Sequence, residues 1–173
     1  ASQVSTVFLA PLQYERAGIP MSWFGALFAL VQGTGMAAAG SGPLARLLGR
    51  ERSFRALLLA AGLSLAALAV TDSAALSIAA LVTMSVASSL FRPLSAARQN
   101  EGVVGPERAT ALSTYAMLME TVAAAVNVGV GRIASSGLGG AFGALGVALA
   151  CSCLAPGRVF AEGRAAGRSV SGE

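Results

Sequence analysis

Histidine and lysine are both absent from this 173-residue sequence, and it has only two cysteines. Without histidine the chain cannot form a Ser-His-Asp triad, a Cys-His pair or a metal site built on imidazole. Cys151 and Cys153 alone complete neither a zinc site nor a disulfide framework, so we interpret them as small apolar fillers. No enzyme activity, metal or cofactor is predicted.

Charged residues are also scarce, at 12% of the chain, whereas hydrophobic residues make up 55%. Soluble proteins carry roughly 25% charged residues, and the mean hydropathy here is +0.70. Aromatics contribute only 6%, so the apolar mass is small side chains that let helices approach closely in lipid. The composition predicts an all-α membrane protein. The arginines behind the net charge of +4 are dispersed among apolar runs, a pattern that does not favour nucleic-acid binding.

Residues 42–55, GPLARLLGRERSFR, form a basic segment between two long apolar runs. The segment has four arginines and one glutamate, whereas residues 17–45 and 56–71 have no charged side chain. Short loops rich in arginine resist translocation and stay in the cytoplasm. The segment is therefore predicted to be a cytoplasmic loop between two spanning helices.

Polar turns divide the chain into one partial span and five complete ones. A helix needs ~20 apolar residues to cross ~30 Å of hydrocarbon, so residues 1–12 are interpreted as the second half of a span that begins upstream. The complete spans are predicted at 22–45, 54–71, 74–91, 109–131 and 138–154. Residues 1–154 thus form a transmembrane helical half-domain, followed at 155–173 by a polar cytoplasmic tail that is expected to be disordered.

The distribution of arginine tests this topology, because successive spans must alternate sides. If residues 46–55 are cytoplasmic, then 92–108 and the C-terminal tail are cytoplasmic too, and ten of the twelve arginines fall on that side. Only Arg16 and Arg132 fall on the other. This agreement with the positive-inside rule predicts a multi-pass protein of the cell membrane, plasma or inner, with a cytoplasmic C-terminus.

Small residues recur four positions apart, as in Gly33 with Ala37 and Gly139 with Gly143. The run at 33–38, GTGMAA, also fits the G-x-G-x-x-A text of a dinucleotide fold, but that fold needs a preceding strand and none is predicted. We interpret both glycine pairs as helix-packing sites.

Glu120 lies eleven residues from each end of its predicted span, close to the bilayer midplane. An acidic group there costs about 2.5 to 3.5 kcal/mol on insertion scales. Its helix face is small and polar and comprises Ser113, Ala116, Met117, Glu120, Ala124, Asn127 and Gly131. Glu120 could exchange protons or hold a cationic substrate, or it could be a neutral group hydrogen-bonded between helices. Gln32, in the middle of another span, could line the same cavity as Asn127 or bond to a neighbouring helix.

Three segments together resemble the C-terminal half of a major facilitator superfamily transporter. Residues 42–52, GPLARLLGRER, are similar to the family's G-x-L-a-D-r-x-G-r-r cytoplasmic loop in its second copy. AGIP at 17–20 and PERATALS at 106–113 are also similar to family members, the latter to efflux-like branches. The resemblance covers nearly the whole chain, from the end of helix seven to the tail after helix twelve. The matching loop positions are Gly42, Arg46, Gly49, Arg50 and Arg52, and Arg46 stands where the family has an acid.

The resemblance implies alternating access, in which two six-helix halves rock around a midplane site. The implied function is secondary active transport of a small organic solute, with proton-coupled efflux as one form, and with Glu120, Asn127 and Gln32 as cavity residues. The implied partners are the lipid bilayer, the solute, and either an N-terminal half or another copy of the chain. Gly42 is expected to allow close helix approach. The alternatives are a non-transporting membrane protein whose helices serve assembly with a partner and, third, a membrane-embedded enzyme.

Overall fold

The computed structural model describes residues 2–102 and 108–154, and over these residues its regular structure is entirely helical. The helices are α1 (Ser2–Arg16), α2 (Phe24–Gly33), α3 (Ser41–Leu48), α4 (Arg50–Val70), α5 (Ala74–Gly102), α6 (Arg108–Ser136) and α7 (Leu138–Leu154), with 3₁₀ segments at Met21–Trp23 and Thr34–Gly40. The predicted tail at 155–173 and the Pro106-Glu107 pair of the 106–113 motif lie outside the described residues.

Four helical stretches are long and apolar enough to cross a membrane: Met21–Leu48, Arg50–Val70, Ala74–Ala97 and Leu112–Ser136. The predicted all-α character with apolar spanning helices is therefore confirmed. The fifth predicted span, 138–154, coincides with α7, in which Leu138–Ala150 form an apolar helix. The predicted partial span belongs to α1, which has 15 residues.

The basic segment 42–55 is a sharp corner between two helices, and the prediction of a loop there was wrong. Gly49 is the one residue between α3 and α4, and its φ of 79° lies in the region that glycine adopts without strain. Arginine and leucine are good helix formers, so the residues on either side remain helical. The buried hydroxyl of Ser53 donates to the Gly49 carbonyl at 2.9 Å and contacts the Leu44 carbonyl at 3.3 Å, which ties the two helices together.

The second segment predicted as a cytoplasmic loop, 92–108, is also largely helical. Helix α5 continues to Gly102 with Pro93 inside it. Residues 94–99, LSAARQ, are mostly strong helix formers, and their propensity offsets the hydrogen bond that a proline removes. The apolar stretch in this helix, Ala74–Ala97, includes the predicted span at 74–91.

The first complete span is not a uniform α-helix, because seven residues at its centre, Thr34–Gly40, form a 3₁₀ segment. The hydroxyl of Thr34 donates to the Val31 carbonyl at 2.6 Å and contacts the Ser85 hydroxyl of α5 at 2.7 Å. Ser85 in turn donates to the same Val31 carbonyl at 3.1 Å. Two side-chain hydroxyls therefore converge on the carbonyl where α2 gives way to the tighter helix.

The core lies where α4, α5 and α7 pack together. Its most deeply buried side chains are Leu65 and Leu68 of α4, Met84 of α5 and Phe142 of α7. All four are large apolar groups that lie where these three helices meet.

The predicted close packing of small residues is confirmed at one glycine of α7. A Cβ at Gly139 would lie 2.6 Å from the backbone oxygen of Ala69 in α4, so the two backbones touch. At Gly33 and Gly143 a Cβ would meet no atom within 4 Å, so neither glycine makes a close helix approach in the described part of the chain.

Candidate functional site

Helix α6 and the stretch Met21–Leu48 are the least covered spanning helices. Only 6% of the most apolar 18 residues in each is buried, against 33% in Arg50–Val70 and 39% in Ala74–Ala97. Helix α6 packs mainly against α7 and α1, whereas α2 and the mid-span 3₁₀ segment pack against α5. Both helices therefore leave broad faces exposed.

Glu120 lies on the exposed part of α6. Its neighbours one turn away on the same face, Ala116 and Ala124, are exposed, and Met117 is 72% exposed. The buried residues of the helix, Ala123 and Val130, belong to the adjoining face that packs on α7 and α1. Within the described residues Glu120 makes no ion pair or hydrogen bond. An interhelical hydrogen bond for this carboxyl is therefore not formed inside this set of helices.

The other two cavity candidates have different surroundings. Asn127 is half-buried two turns along α6 from Glu120, roughly 10 Å at 1.5 Å per residue, and it makes a polar contact within the chain. Gln32 is exposed in the last turn of α2, one residue before the helix ends at Gly33. Because α2 and α6 make at most marginal contact in the described part of the chain, these helices do not close a pocket around the three side chains.

Exposure of Glu120 and Gln32 is costly if lipid covers these faces. Acidic side chains within spans face a protein interior or a water-filled cavity, because hydrocarbon offers no hydrogen bonds. The described residues provide no such cover for Glu120. The exposed faces of α2 and α6 are therefore suited to contact another polypeptide or to line a cavity that another polypeptide completes.

A buried polar cluster, which the sequence interpretation missed, joins the end of α1 to the turn between α4 and α5. The side chain of Gln13 is fully buried, and its Nε2 donates to the Thr71 carbonyl at 3.0 Å and to the Ser77 hydroxyl at 2.8 Å. This amide caps a carbonyl at the end of α4 that has no partner within that helix. The partial span was predicted to end at residue 12, but α1 continues to Arg16. Glutamine is not a typical turn residue, and this property was the sequence signal that could have placed Gln13 in the helix.

Arg16, one of the two arginines on the minority side of the predicted topology, is paired. Its Nε lies 2.5 Å from Asp72 Oδ1, and its Nη1 lies 3.5 Å from the Ala69 carbonyl. The carboxylate balances the arginine charge locally. The pair also places α1 beside the start of α7, since a Cβ on Gly139 would be 3.6 Å from Arg16 Nη1.

The loop residues of the resemblance lie on α3, at its corner with α4 and in the first turn of α4. Arg46 and Arg52 are exposed, Arg50 is half-buried, and Gly49 makes the turn. A Cβ at Gly42 would meet no atom within 4 Å, so the close helix approach expected at Gly42 is not made within the described residues. Among these residues, there is also no group of three or more side chains that could hold a metal ion.

No protein-family model, curated protein or solved structure matches this chain.

Proposed function

We propose that this chain is the C-terminal half of a secondary active transporter that moves a small organic solute across the cell membrane by alternating access. The proposal keeps five complete spans and a partial one in the half, a cytoplasmic C-terminus, and an N-terminal half or second copy as partner. The observation that carries it is an ionisable side chain, Glu120, on an uncovered face of an apolar helix long enough to span.

The uncovered faces support a cavity at the centre of a larger assembly. Helices α2 and α6 each carry polar groups, Gln32 on one and Glu120 with Asn127 on the other. If a second six-helix body packs against both helices, these side chains become enclosed with water instead of lipid. Midplane sites between two such bodies are typical of secondary transporters.

Glu120 is proposed to carry the coupling proton or to hold a cationic solute. Its carboxyl makes no hydrogen bond or ion pair in the described part of the chain, which leaves it available to a solute or to water. In an enclosed cavity it would be the acidic group on this face of α6, since the other members of the face are uncharged.

Reconstituted full-length protein tests the proposal. We expect solute flux in proteoliposomes under an imposed pH gradient, and we expect Glu120→Gln to reduce gradient-driven flux to the rate without a gradient. Glu15→Gln, which changes an exposed glutamate in the last turn of α1, is the matched control and should leave flux unchanged. Unchanged pH dependence in the Glu120 variant would exclude the proton role.

The same exposed faces also favour the alternative, a membrane protein whose helices serve assembly without transport. Helix α6 exposes Met117, Leu118 and Val128, at 72%, 57% and 61%, and such a surface can bind another membrane helix without a cavity. Absence of flux for a broad panel of solutes, together with a stable complex in detergent, would support this alternative.

A further inference from the structure

The corner between α3 and α4 carries unbalanced positive charge. Arg46 and Arg52 are exposed, and neither has an ion-pair or hydrogen-bond partner among the described residues. Glu51, the acidic residue of the corner, is engaged by Arg55, whose Nη2 lies 2.7 Å from Glu51 Oε1. Two guanidinium groups are therefore presented outwards, and no acidic side chain in the described part of the chain neutralises them.

Large apolar side chains lie next to these arginines. Leu47 directly follows Arg46 and is 84% exposed, and Leu48 is 45% exposed. Arginines beside protruding leucines are typical of helices that lie in the boundary between headgroups and acyl chains, where the apolar groups enter the membrane and the cations stay at the headgroups. The short helix α3 has this composition in its last turn.

Insertion of the two adjoining helical stretches would place the corner at a membrane surface. The stretch Met21–Leu48 ends at it and Arg50–Val70 begins at it, and both are long and apolar enough to span. Helix α4 starts after Gly49 without a side-chain cap, so its first N–H groups add donors that an anion can use. Arginine suits such an anion well, because its planar fork binds phosphate with two parallel hydrogen bonds.

We infer that the α3–α4 corner is a binding surface for anionic phospholipid headgroups, with Arg46 and Arg52 holding the phosphate and Leu47 and Leu48 among the acyl chains. The charge of the site selects the lipid, since a zwitterionic headgroup brings its own cation to the arginines. This inference depends on insertion in a membrane and does not depend on transport.

Quenching by brominated lipids measures the binding at this corner. The chain has one tryptophan, Trp23, at the start of the stretch that ends with Leu48, roughly 36 Å away at 1.5 Å per residue. In a Trp23→Phe background, Leu47→Trp places an indole at the corner, at a position exposed enough to accept it. The probes are vesicles of brominated phosphatidylglycerol or brominated phosphatidylcholine mixed with unlabelled phosphatidylcholine.

The indole at position 47 is expected to favour phosphatidylglycerol over phosphatidylcholine by up to about 25-fold, because each of the two arginines near an anionic surface contributes about fivefold. Trp23 in the otherwise native protein is the control at the opposite end and should show a ratio of about one. Equal quenching by the two lipids at position 47 would overturn the inference.

A matched pair of arginine variants distinguishes direct contact between Arg52 and the phosphate from a general effect of positive charge at the corner. In the Leu47→Trp protein, Arg52→Gln and Arg55→Gln each remove one exposed positive charge from the first two turns of α4. Because Arg55 is already paired with Glu51, we expect only Arg52→Gln to lower the ratio of quenching by phosphatidylglycerol to quenching by phosphatidylcholine, by about threefold to fivefold. The double variant, Arg46→Gln with Arg52→Gln, should abolish the preference for phosphatidylglycerol. Equal losses in the two single variants, or a preference retained in the double variant, would refute direct phosphate contacts. Unchanged helical circular dichroism shows that each variant is folded.

Discussion

Gly139→Ala is the sharpest test of the packing, because the new methyl group would meet backbone. The added Cβ would lie 2.6 Å from the Ala69 oxygen, whereas carbon and oxygen atoms in contact are normally about 3.3 to 3.6 Å apart. Helices α7 and α4 would therefore have to separate by about 0.7 to 1.0 Å at this point. No side-chain rotation relieves the clash, since the opposing atom belongs to a helix backbone.

Overpacking of this kind costs about 1 to 3 kcal/mol. Alanine is a better helix former than glycine by about 0.8 to 1.0 kcal/mol in a helix interior, but Gly139 is the second residue of α7, where that gain is smaller. We expect net destabilisation, which corresponds to a fall in melting temperature of roughly 2 to 4 °C for each kcal/mol. Thermal unfolding of the purified protein in detergent, followed by circular dichroism, measures it.

Gly143→Ala is the matched control, since it makes the same chemical change one turn along the same helix. A Cβ at Gly143 meets no atom within 4 Å, so only the helix-propensity gain remains and the melting temperature should stay the same or rise. The reasoning fails if both variants shift the melting temperature equally, or if Gly139→Ala is the more stable of the two.

Two further substitutions test the polar contacts. Gln13→Met keeps the volume of the side chain but removes its hydrogen bonds to Thr71 and Ser77. In a denaturation titration in detergent, this variant should have a free energy of unfolding that is lower by about 1 to 3 kcal/mol. A change below about 0.5 kcal/mol would contradict the capping role of Gln13. Ser85→Ala removes the hydroxyl that donates to the Val31 carbonyl and should speed hydrogen exchange of the amides in the mid-span 3₁₀ segment. Thr83→Ala, the control, removes an exposed hydroxyl on the same helix and should leave this exchange unchanged. Equal exchange in both variants would show that Ser85 does not stabilise the 3₁₀ segment.

The polar cluster and the basic corner lie at opposite ends of α4 and are built differently. At one end Gln13 and the Arg16–Asp72 pair join α1 to the turn before α5. At the other end a single glycine, Gly49, joins two helices, and the exposed arginines are not held by other helices. The first end is therefore tied to other helices by side-chain bonds, whereas at the second the Ser53 hydroxyl joins only α3 to α4 and leaves Arg46 and Arg52 exposed.

The mid-span 3₁₀ segment is the place where the helix geometry of the stretch Met21–Leu48 changes. Irregular helix in the middle of a span often marks a functional hinge, and here it directly follows Gln32, one of the cavity candidates. Under the proposed transport function, a change in helix type between 34 and 40 would rotate α3 relative to α2. That rotation would change which face of α3 meets the partner half.

Hydropathy along the chain was enough to predict an all-helical protein with several helices that are long and apolar enough to span a membrane, because the cost of placing polar groups in lipid applies to each residue separately. The same local signal singled out Glu120, whose charge stands out in an apolar run. It did not determine that 42–55 is a helical corner, because a polar segment between two spans can be either a loop or a pair of helix ends.

Only the tertiary structure decided which faces of the helices meet. In lipid an apolar face is satisfied equally by another helix or by acyl chains, so hydropathy cannot show that Gly139 touches Ala69 while Gly143 is open. Burial of Gln13 likewise depends on a carbonyl that is 58 residues away in the chain. The exposure of Glu120 on α6 also emerged only from the packing, because it depends on α6 turning another face towards α1 and α7.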